Sequence, residues 1–74
     1  MKNICKVKKF GNVKITIEGG KVSFFNEGDF VFSMYTYGFR LQELSGIIRD
    51  SFLYYGLEVV EGPSVVAGWI KGNV

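Results

Sequence analysis

The chain has 74 residues, of which 47% are apolar and 22% are charged, and its formal net charge is +2. This length allows a single domain spanning residues 1–74, and the composition excludes a disordered segment. A charge this small is weak evidence for a polyanionic partner. Because the lone Cys5 has no internal disulfide partner and no apolar run approaches the roughly 20 residues that span a bilayer, we expect a cytoplasmic protein without a membrane segment.

The first predicted strand runs from Ile4 to Phe10 and ends at a Gly-Asn turn. Its lysines suit an exposed sheet edge, where charge discourages pairing with other chains. Two registers are open for this strand. Either Cys5 and Val7 face inward, or Ile4 and Phe10 do.

The segment "NVKITIEGGKVSFF" gives the strongest local signal in the chain. Apolar and polar residues alternate with the period of two that is typical of a half-buried strand. The pair Gly19-Gly20 then provides two residues that adopt positive φ readily, as a tight hairpin turn requires. This turn places Glu18 opposite Lys21 on one face and Ile15 opposite Phe24 on the other, so the pattern predicts a β-hairpin.

The next turn, "NEG", decides which phenylalanines are buried. A three-residue loop with Gly28 in the left-handed bulge position pairs Phe24 with Phe30. Phe30, Phe32 and Met34 then lie on the inner face of the sheet. The residues placed on the opposite face are Phe25, Val31, Tyr35 and Tyr37.

A loop of two or four residues would shift this pairing by one position. That register buries Val31, Ser33 and Tyr35 and exposes the three residues that the first register buries. We favour the three-residue loop because the alternative leaves two phenylalanines in water and a serine in the core.

From Arg40 to Tyr55 the apolar period becomes helical. Gly56 is well placed as the left-handed C-terminal cap of this helix. Gly46 inside it either permits close packing or is a tolerated imperfection, which costs about 1 kcal/mol relative to alanine. The residues of the main apolar stripe are Leu41, Leu44, Ile48, Phe52 and Tyr55, and Ile47 and Tyr54 widen it.

After the helix, "LEVVE" and "SVVAGWI" are interpreted as two further strands around a Gly62-Pro63 turn. The predicted order is therefore β-β-β-β-α-β-β. This is an α+β fold, with a mainly antiparallel sheet and one amphipathic helix packed on its apolar face.

The residues that most catalytic sites require are scarce. The chain has no histidine and one cysteine, which excludes a zinc cluster or a Cys-His pair, and its serines have no plausible base. Glu27 and Asp29 are interpreted as solvated turn carboxylates. We expect a protein without cofactor, metal or enzymatic activity.

Binding to another protein is the function that remains. The aromatic group that the register places outward, extended by Trp69, is larger than a solvated sheet face needs, unless the C-terminal strands cover it. We expect Leu53 and Tyr54, which lie outside the main helix stripe, to support self-association. The predicted partner-binding residues are Phe25, Val31, Tyr35, Tyr37 and Tyr54, with Glu27 and Asp29 as rim charges.

The alternative is binding to single-stranded nucleic acid, with bases stacked on the same aromatics. The stretch "KVSFFNEGDFVF" resembles the aromatic strands of cold-shock domains, which implies this function. It departs from that family in lacking the basic-glycine-aromatic spacing, in its acidic turn and in the helix that follows. The basic residues that would contact phosphates are Lys6, Lys8, Lys9, Lys14, Lys21 and Arg40.

In size and in its lack of catalytic groups, the chain is similar to the small host-modulating proteins of phages and mobile elements, such as anti-CRISPR inhibitors. This resemblance implies a protein that inhibits or sequesters a larger intracellular protein by steric occlusion. We take protein binding as the leading hypothesis.

Overall fold

The computed structural model describes residues 5–74. A four-stranded antiparallel sheet has the strand order β1-β2-β3-β4, and two helices follow it in the chain. The α+β class and the antiparallel sheet are thereby confirmed. The elements are β1 (Lys6–Phe10), β2 (Val13–Glu18), β3 (Lys21–Asn26), β4 (Asp29–Tyr35), α1 (Leu41–Tyr55) and α2 (Pro63–Asn73).

The hairpin formed by β2 and β3 has the predicted register. Glu18 lies opposite Lys21, and Ile15 lies opposite Phe24. Gly19 and Gly20 turn the chain with φ values of 59° and 80°, which are accessible to glycine without steric cost. The alternation of the sequence therefore becomes the two faces of the sheet.

The register of β4 differs from the prediction. Asn26 pairs directly with Asp29, so the turn has two residues, Glu27 and Gly28, both with positive φ. A bulge between Phe30 and Phe32 then shifts the register by one residue.

The two-residue turn places Phe30 on the face opposite the core, and the bulge at Val31 returns Phe32 and Met34 to the inner face. Phe30, predicted to be buried, is 59% exposed, whereas Val31, predicted to face outward, packs against the core. Beyond the bulge, Phe32 and Met34 lie on the inner face as predicted, but they pair with Phe24 and Val22, so the predicted pair of Phe24 with Phe30 is wrong.

Strand β1 forms one edge of the sheet, as predicted. Phe10 is buried beside Val13, and Val7 is 55% exposed. The register with Phe10 inside is therefore correct and the one with Val7 inside is wrong. Ile4, which the first register places with Phe10, lies outside the described residues.

Helix α1 has the predicted position, but the predicted apolar stripe is buried only in its middle, because Leu41, Tyr54 and Tyr55 lie in the first and last turns and are exposed. Leu44, Ile48 and Phe52 are its buried residues, and Gly56 caps it in the left-handed conformation. At its start, the Glu43 carboxylate accepts a hydrogen bond of 2.8 Å from the backbone N–H of Arg40, which satisfies one of the free N–H groups there.

The C-terminal segment contradicts the prediction, because it forms a helix where two strands were expected. Pro63 occupies the first turn of α2, where its missing N–H is no loss. The segment "LEVVE" is irregular and links the two helices. The residues that α2 buries are Val66, Ala67 and Ile70.

Both helices contribute to the same hydrophobic core, on one face of the sheet. Phe52 in α1 and Phe24 are in edge-to-face contact with their ring centres 5.9 Å apart, and the ring centres of Trp69 in α2 and Phe10 are 6.1 Å apart. The second face of the sheet is therefore not covered by any described element. None of the described helices is both long and apolar enough to cross a membrane.

Candidate functional site

The face of the sheet opposite the helices is the candidate site, and we call it the outer face. Its side chains occupy the alternate positions of the four strands, and each of them is exposed or half-buried. They are Val7, Lys9, Lys14, Thr16, Glu18, Lys21, Ser23, Phe25, Phe30, Ser33 and Tyr35.

One end of the outer face carries a pair of phenylalanines beside two lysines. The register places Lys9, Lys14, Phe25 and Phe30 in one row across all four strands. The rings of Phe25 and Phe30 meet edge to face at 5.7 Å, and the Lys14 ammonium lies 4.9 Å from the centre of the Phe25 ring. Both contacts are favourable, because the electropositive edge of an aromatic ring and a cation each complement the negative face of another ring.

The same end also carries negative charge. A hollow of about 200 Å³ is lined by Lys9, Asn12, Lys14, Glu27 and Gly28. The backbone N–H of Glu27 donates a hydrogen bond of 2.9 Å to the carbonyl oxygen of Asn12, which ties the two turns together. The phenylalanine pair is therefore rimmed by charges of both signs.

The opposite end carries a pair of tyrosines. Tyr35 and Tyr37 stack with their ring centres 5.9 Å apart and their planes 13° from parallel. The hydroxyl of Tyr37 donates a hydrogen bond of 3.2 Å to the carbonyl oxygen of Gly19. Their exposed fractions of 57% and 71% leave most of both rings available to a partner.

Smaller side chains separate the two aromatic ends. Val7, Thr16, Ser23 and Ser33 form a row across the middle of the outer face. The two serines and the threonine are half-buried. The outer face therefore has small, mostly polar side chains in its middle and aromatic side chains at its two ends.

The remaining predicted partner-binding residues lie elsewhere. Val31 packs against the core, and Trp69 belongs to the helix layer, so neither extends the outer aromatic group. Leu53 and Tyr54 are adjacent on α1 and are 76% and 82% exposed. Asp29 begins β4 and is exposed, but the register places it in the row of buried Val13, on the helix side of the sheet.

The predicted phosphate-binding residues do not form one surface. Lys9, Lys14 and Lys21 lie on the outer face, whereas Lys6 and Lys8 lie opposite buried isoleucines on the helix side of β1. Arg40 immediately precedes α1. The Lys8 ammonium lies 5.3 Å from the centre of the Phe10 ring, and this cation–π contact keeps the Lys8 side chain on the helix side.

Two features of the structure differ from the favoured sequence prediction. Phe30 belongs to the outer face because the turn has two residues, as in the register that we considered but did not favour, and the bulge at Val31 comes after it. A groove of about 520 Å³ also runs between α1 and the start of α2, with Gly46 and Ser45 on one side and Pro63 on the other. Gly46 lines this groove and has nothing within 4 Å of the position a Cβ would take, so it does not serve close packing.

Metal chemistry gains no support from residues 5–74, where no group of three or more His, Cys, Asp and Glu side chains is placed to hold an ion. Comparison of the chain with protein-family models, with curated proteins and with solved structures gives no match.

Proposed function

We propose that this chain is a small protein-binding module whose contact surface is the outer face. The observation that carries the proposal is the pair of aromatic clusters, Phe25 with Phe30 and Tyr35 with Tyr37, on a sheet face that no described element covers. Tyrosine and phenylalanine bury a large area for little loss of side-chain entropy, and exposed apolar patches on small proteins mark interaction sites.

The charges around the phenylalanine pair favour a protein over a nucleic acid. Lys9 and Lys14 share their hollow with the acidic residue Glu27. A phosphate backbone would meet repulsion as well as attraction there, whereas a polar rim of mixed sign is typical of protein interfaces.

The mode of action that we propose is occlusion of a larger target, in the manner of small anti-defence proteins of phages. With extents of 36 × 28 × 17 Å, the protein can cover a functional surface of a larger protein and block it sterically. An interface of standard size takes about 800 Å² from each partner, and the total accessible surface here is 4922 Å². We place this action in the cytoplasm, where the exposed thiol of Cys5 would stay reduced.

The proposal is tested by quantitative capture from cells of the native host. Tagged wild-type protein is compared with Phe30→Ser and Tyr35→Ser, which remove one ring from each aromatic cluster. Val60→Ser is the matched control, because Val60 is an apolar side chain, 97% exposed, in the connection between the helices. We expect one host protein to be enriched by the wild type and by Val60→Ser and to be lost with both outer-face variants.

The captured protein is then purified and its affinity is measured by calorimetry. Removal of a central aromatic contact should weaken the complex by about tenfold to several hundredfold, the range of hot-spot residues. Equal affinity of all four proteins for the target would overturn the assignment of the outer face.

Single-stranded nucleic acid remains the second candidate, and one observation favours it. Lys9 and Lys14 lie side by side next to the Phe25 ring, an arrangement that could hold a phosphate beside a stacked base. Binding of fluorescent oligonucleotides should then weaken steeply between low and moderate salt, because counterions are released. If no oligonucleotide binds at low salt, this candidate is eliminated.

A further inference from the structure

The two edges of the sheet are protected very differently. β1 carries three lysines among its five residues, a common device against pairing with other chains. β4 has seven residues, contains no proline, and has Asp29 at its first position as its one charged residue. No described strand pairs with the outer edge of β4, so this edge presents unpaired backbone N–H and C=O groups.

The bulge of β4 protects only the first half of the strand. It lies at Val31, where the extra residue twists the edge and interrupts the ladder. From Phe32 to Tyr35 the pairing with β3 is regular. This second half of β4 is therefore the segment that another strand can extend.

Aromatic side chains continue away from this segment on the helix side. Phe32 stacks on Phe24 at 4.4 Å and on Tyr55 at 4.8 Å, and Tyr54 meets Tyr55 edge to face at 4.8 Å. Tyr55 is 44% exposed and Tyr54 is 82% exposed. A strand added to β4 would thus cover apolar surface in addition to forming backbone hydrogen bonds.

We infer that the occupant of this edge is a second copy of the chain, paired through β4 in a two-fold dimer. Pairing of β1 with β1 is opposed by three lysines on each side, and pairing of β1 with β4 would continue without closing. Pairing of β4 with β4 closes after two copies and is antiparallel by symmetry. When Phe32–Tyr35 pair in this way, the two Asp29 carboxylates lie beyond opposite ends of the paired segment, roughly 30 Å apart at about 3.3 Å per residue, and do not repel.

The dimer has a consequence for the outer face. Two four-stranded sheets joined at β4 make one sheet of eight strands, and the two outer faces become continuous. The pairing itself uses the backbone of Phe32–Tyr35 and the rings of Phe32, Tyr54 and Tyr55. Tyr35 belongs to both surfaces, whereas Phe25 and Phe30 lie outside the paired segment, so Phe30→Ser tests the proposed function alone. The inference therefore does not depend on the proposed function, and either can fail without the other.

The test is the oligomeric state of the full chain, measured by sedimentation equilibrium from micromolar to millimolar concentration. Ser33→Lys gives β4 the protection that β1 has, on a half-buried side chain of the outer face. Ser23→Lys is the matched control, since Ser23 lies directly opposite Ser33 on the interior strand β3. Far-ultraviolet circular dichroism confirms that both variants are folded.

We expect the wild type and Ser23→Lys to dimerise with similar Kd. Ser33→Lys should raise the Kd by roughly tenfold or more, because it brings like charges together across the interface. A wild type that stays monomeric to millimolar concentration would overturn the inference. This outcome includes the case in which β4 pairs only with another protein. Equal Kd for the two lysine variants would overturn it as well.

A second measurement locates the interface in the dimer. Hydrogen exchange of the β4 amides should slow as the protein concentration rises through the Kd, while exchange in β1 stays unchanged. A dimer in which slowing is confined to α1, around Leu53 and Tyr54, would place self-association on the helix and contradict the edge pairing.

Discussion

The two faces of the sheet are made by alternate residues of the same strands, but their aromatic side chains are arranged in opposite ways. On the helix side, Phe24 has no exposed surface and contacts both Phe32 and Phe52. On the outer face, Phe30 and Tyr35 are more than half exposed and contact mainly one aromatic neighbour each. The comparison teaches that successive residues of one strand alternate between side chains that hold the core together and side chains that are free to contact a partner under the proposed function.

The largest effect on stability is expected from Phe24→Ala. This change removes a fully buried ring and leaves a cavity between β3 and α1, which should lower the free energy of unfolding by about 3–5 kcal/mol. Denaturant titration followed by circular dichroism measures it. A loss below about 1 kcal/mol would mean that the helix layer is not packed on this face as described.

A smaller loss is expected from Gly20→Ala, which tests how the tyrosine pair is anchored. A Cβ at Gly20 would overlap the Tyr37 hydroxyl and lie 2.6 Å from its Cζ, in addition to the strain of a φ of 80°. The backbone strain alone is worth about 1 kcal/mol, and displacement of Tyr37 from Gly19 should add to it. Denaturant titrations of Gly20→Ala and of the control variant Gly19→Ala measure the difference in their free energies of unfolding.

Gly19→Ala is the matched control for this prediction. Its φ of 59° is equally left-handed, but nothing lies within 4 Å of the position a Cβ would take. We expect Gly20→Ala to be the more destabilising of the two and the difference to vanish in a Tyr37→Ala background. Equal losses of stability for the two variants in the wild-type background would show that the Tyr37 ring does not contact the Gly19-Gly20 turn.

Phe30→Ala should cost much less than Phe24→Ala, although both remove a phenylalanine ring. Phe30 is 59% exposed, so the loss is mainly its edge-to-face contact with Phe25, worth about 0.5–1.5 kcal/mol. Thermal unfolding monitored by circular dichroism measures this loss. If Phe30→Ala unfolds the protein, the ring is part of the core and the comparison between the two faces fails.

The smallest effect is expected from Lys14→Gln, which removes the ammonium beside the Phe25 ring. An exposed contact of this kind contributes about 0.5–1 kcal/mol. The loss should shrink when salt is added, because the interaction is electrostatic and half-exposed. Denaturant titrations at low and high salt measure it, and a salt-independent loss would point to packing by the lysine stem instead.

The sequence predicts the first hairpin because all of its determinants are local. The glycine pair sets the turn, and one register satisfies both the apolar row and the pair of Glu18 with Lys21. The register of β4 could not be obtained in the same way. Glu27 adopts a φ of 51°, which is uncommon for a residue with a Cβ, and its N–H is held by Asn12 from another turn. That contact is tertiary, so a rule based on neighbouring residues misses it.

The C-terminal helix was missed for a different reason. Valines and an isoleucine around Gly68 favour a strand by propensity, and Gly62-Pro63 is typical of a turn. The same dipeptide also begins helices, and Val66, Ala67 and Ile70 have the spacing of a helical stripe. Burial against the sheet outweighs the weak preference of β-branched residues for strands. Because this segment forms a helix on the inner side, no element within residues 5–74 covers the outer face.

The contact between Trp69 and Phe10 has a practical consequence for spectroscopy. Trp69 is the single tryptophan of the chain and is half-buried in the layer of α2, away from the outer face. Its fluorescence therefore reports whether α2 is docked on β1, without a second indole to confuse the signal. Because no tryptophan lies on the outer face, a change in this fluorescence reports a change in the helix layer and not direct contact of a partner with the outer-face aromatics.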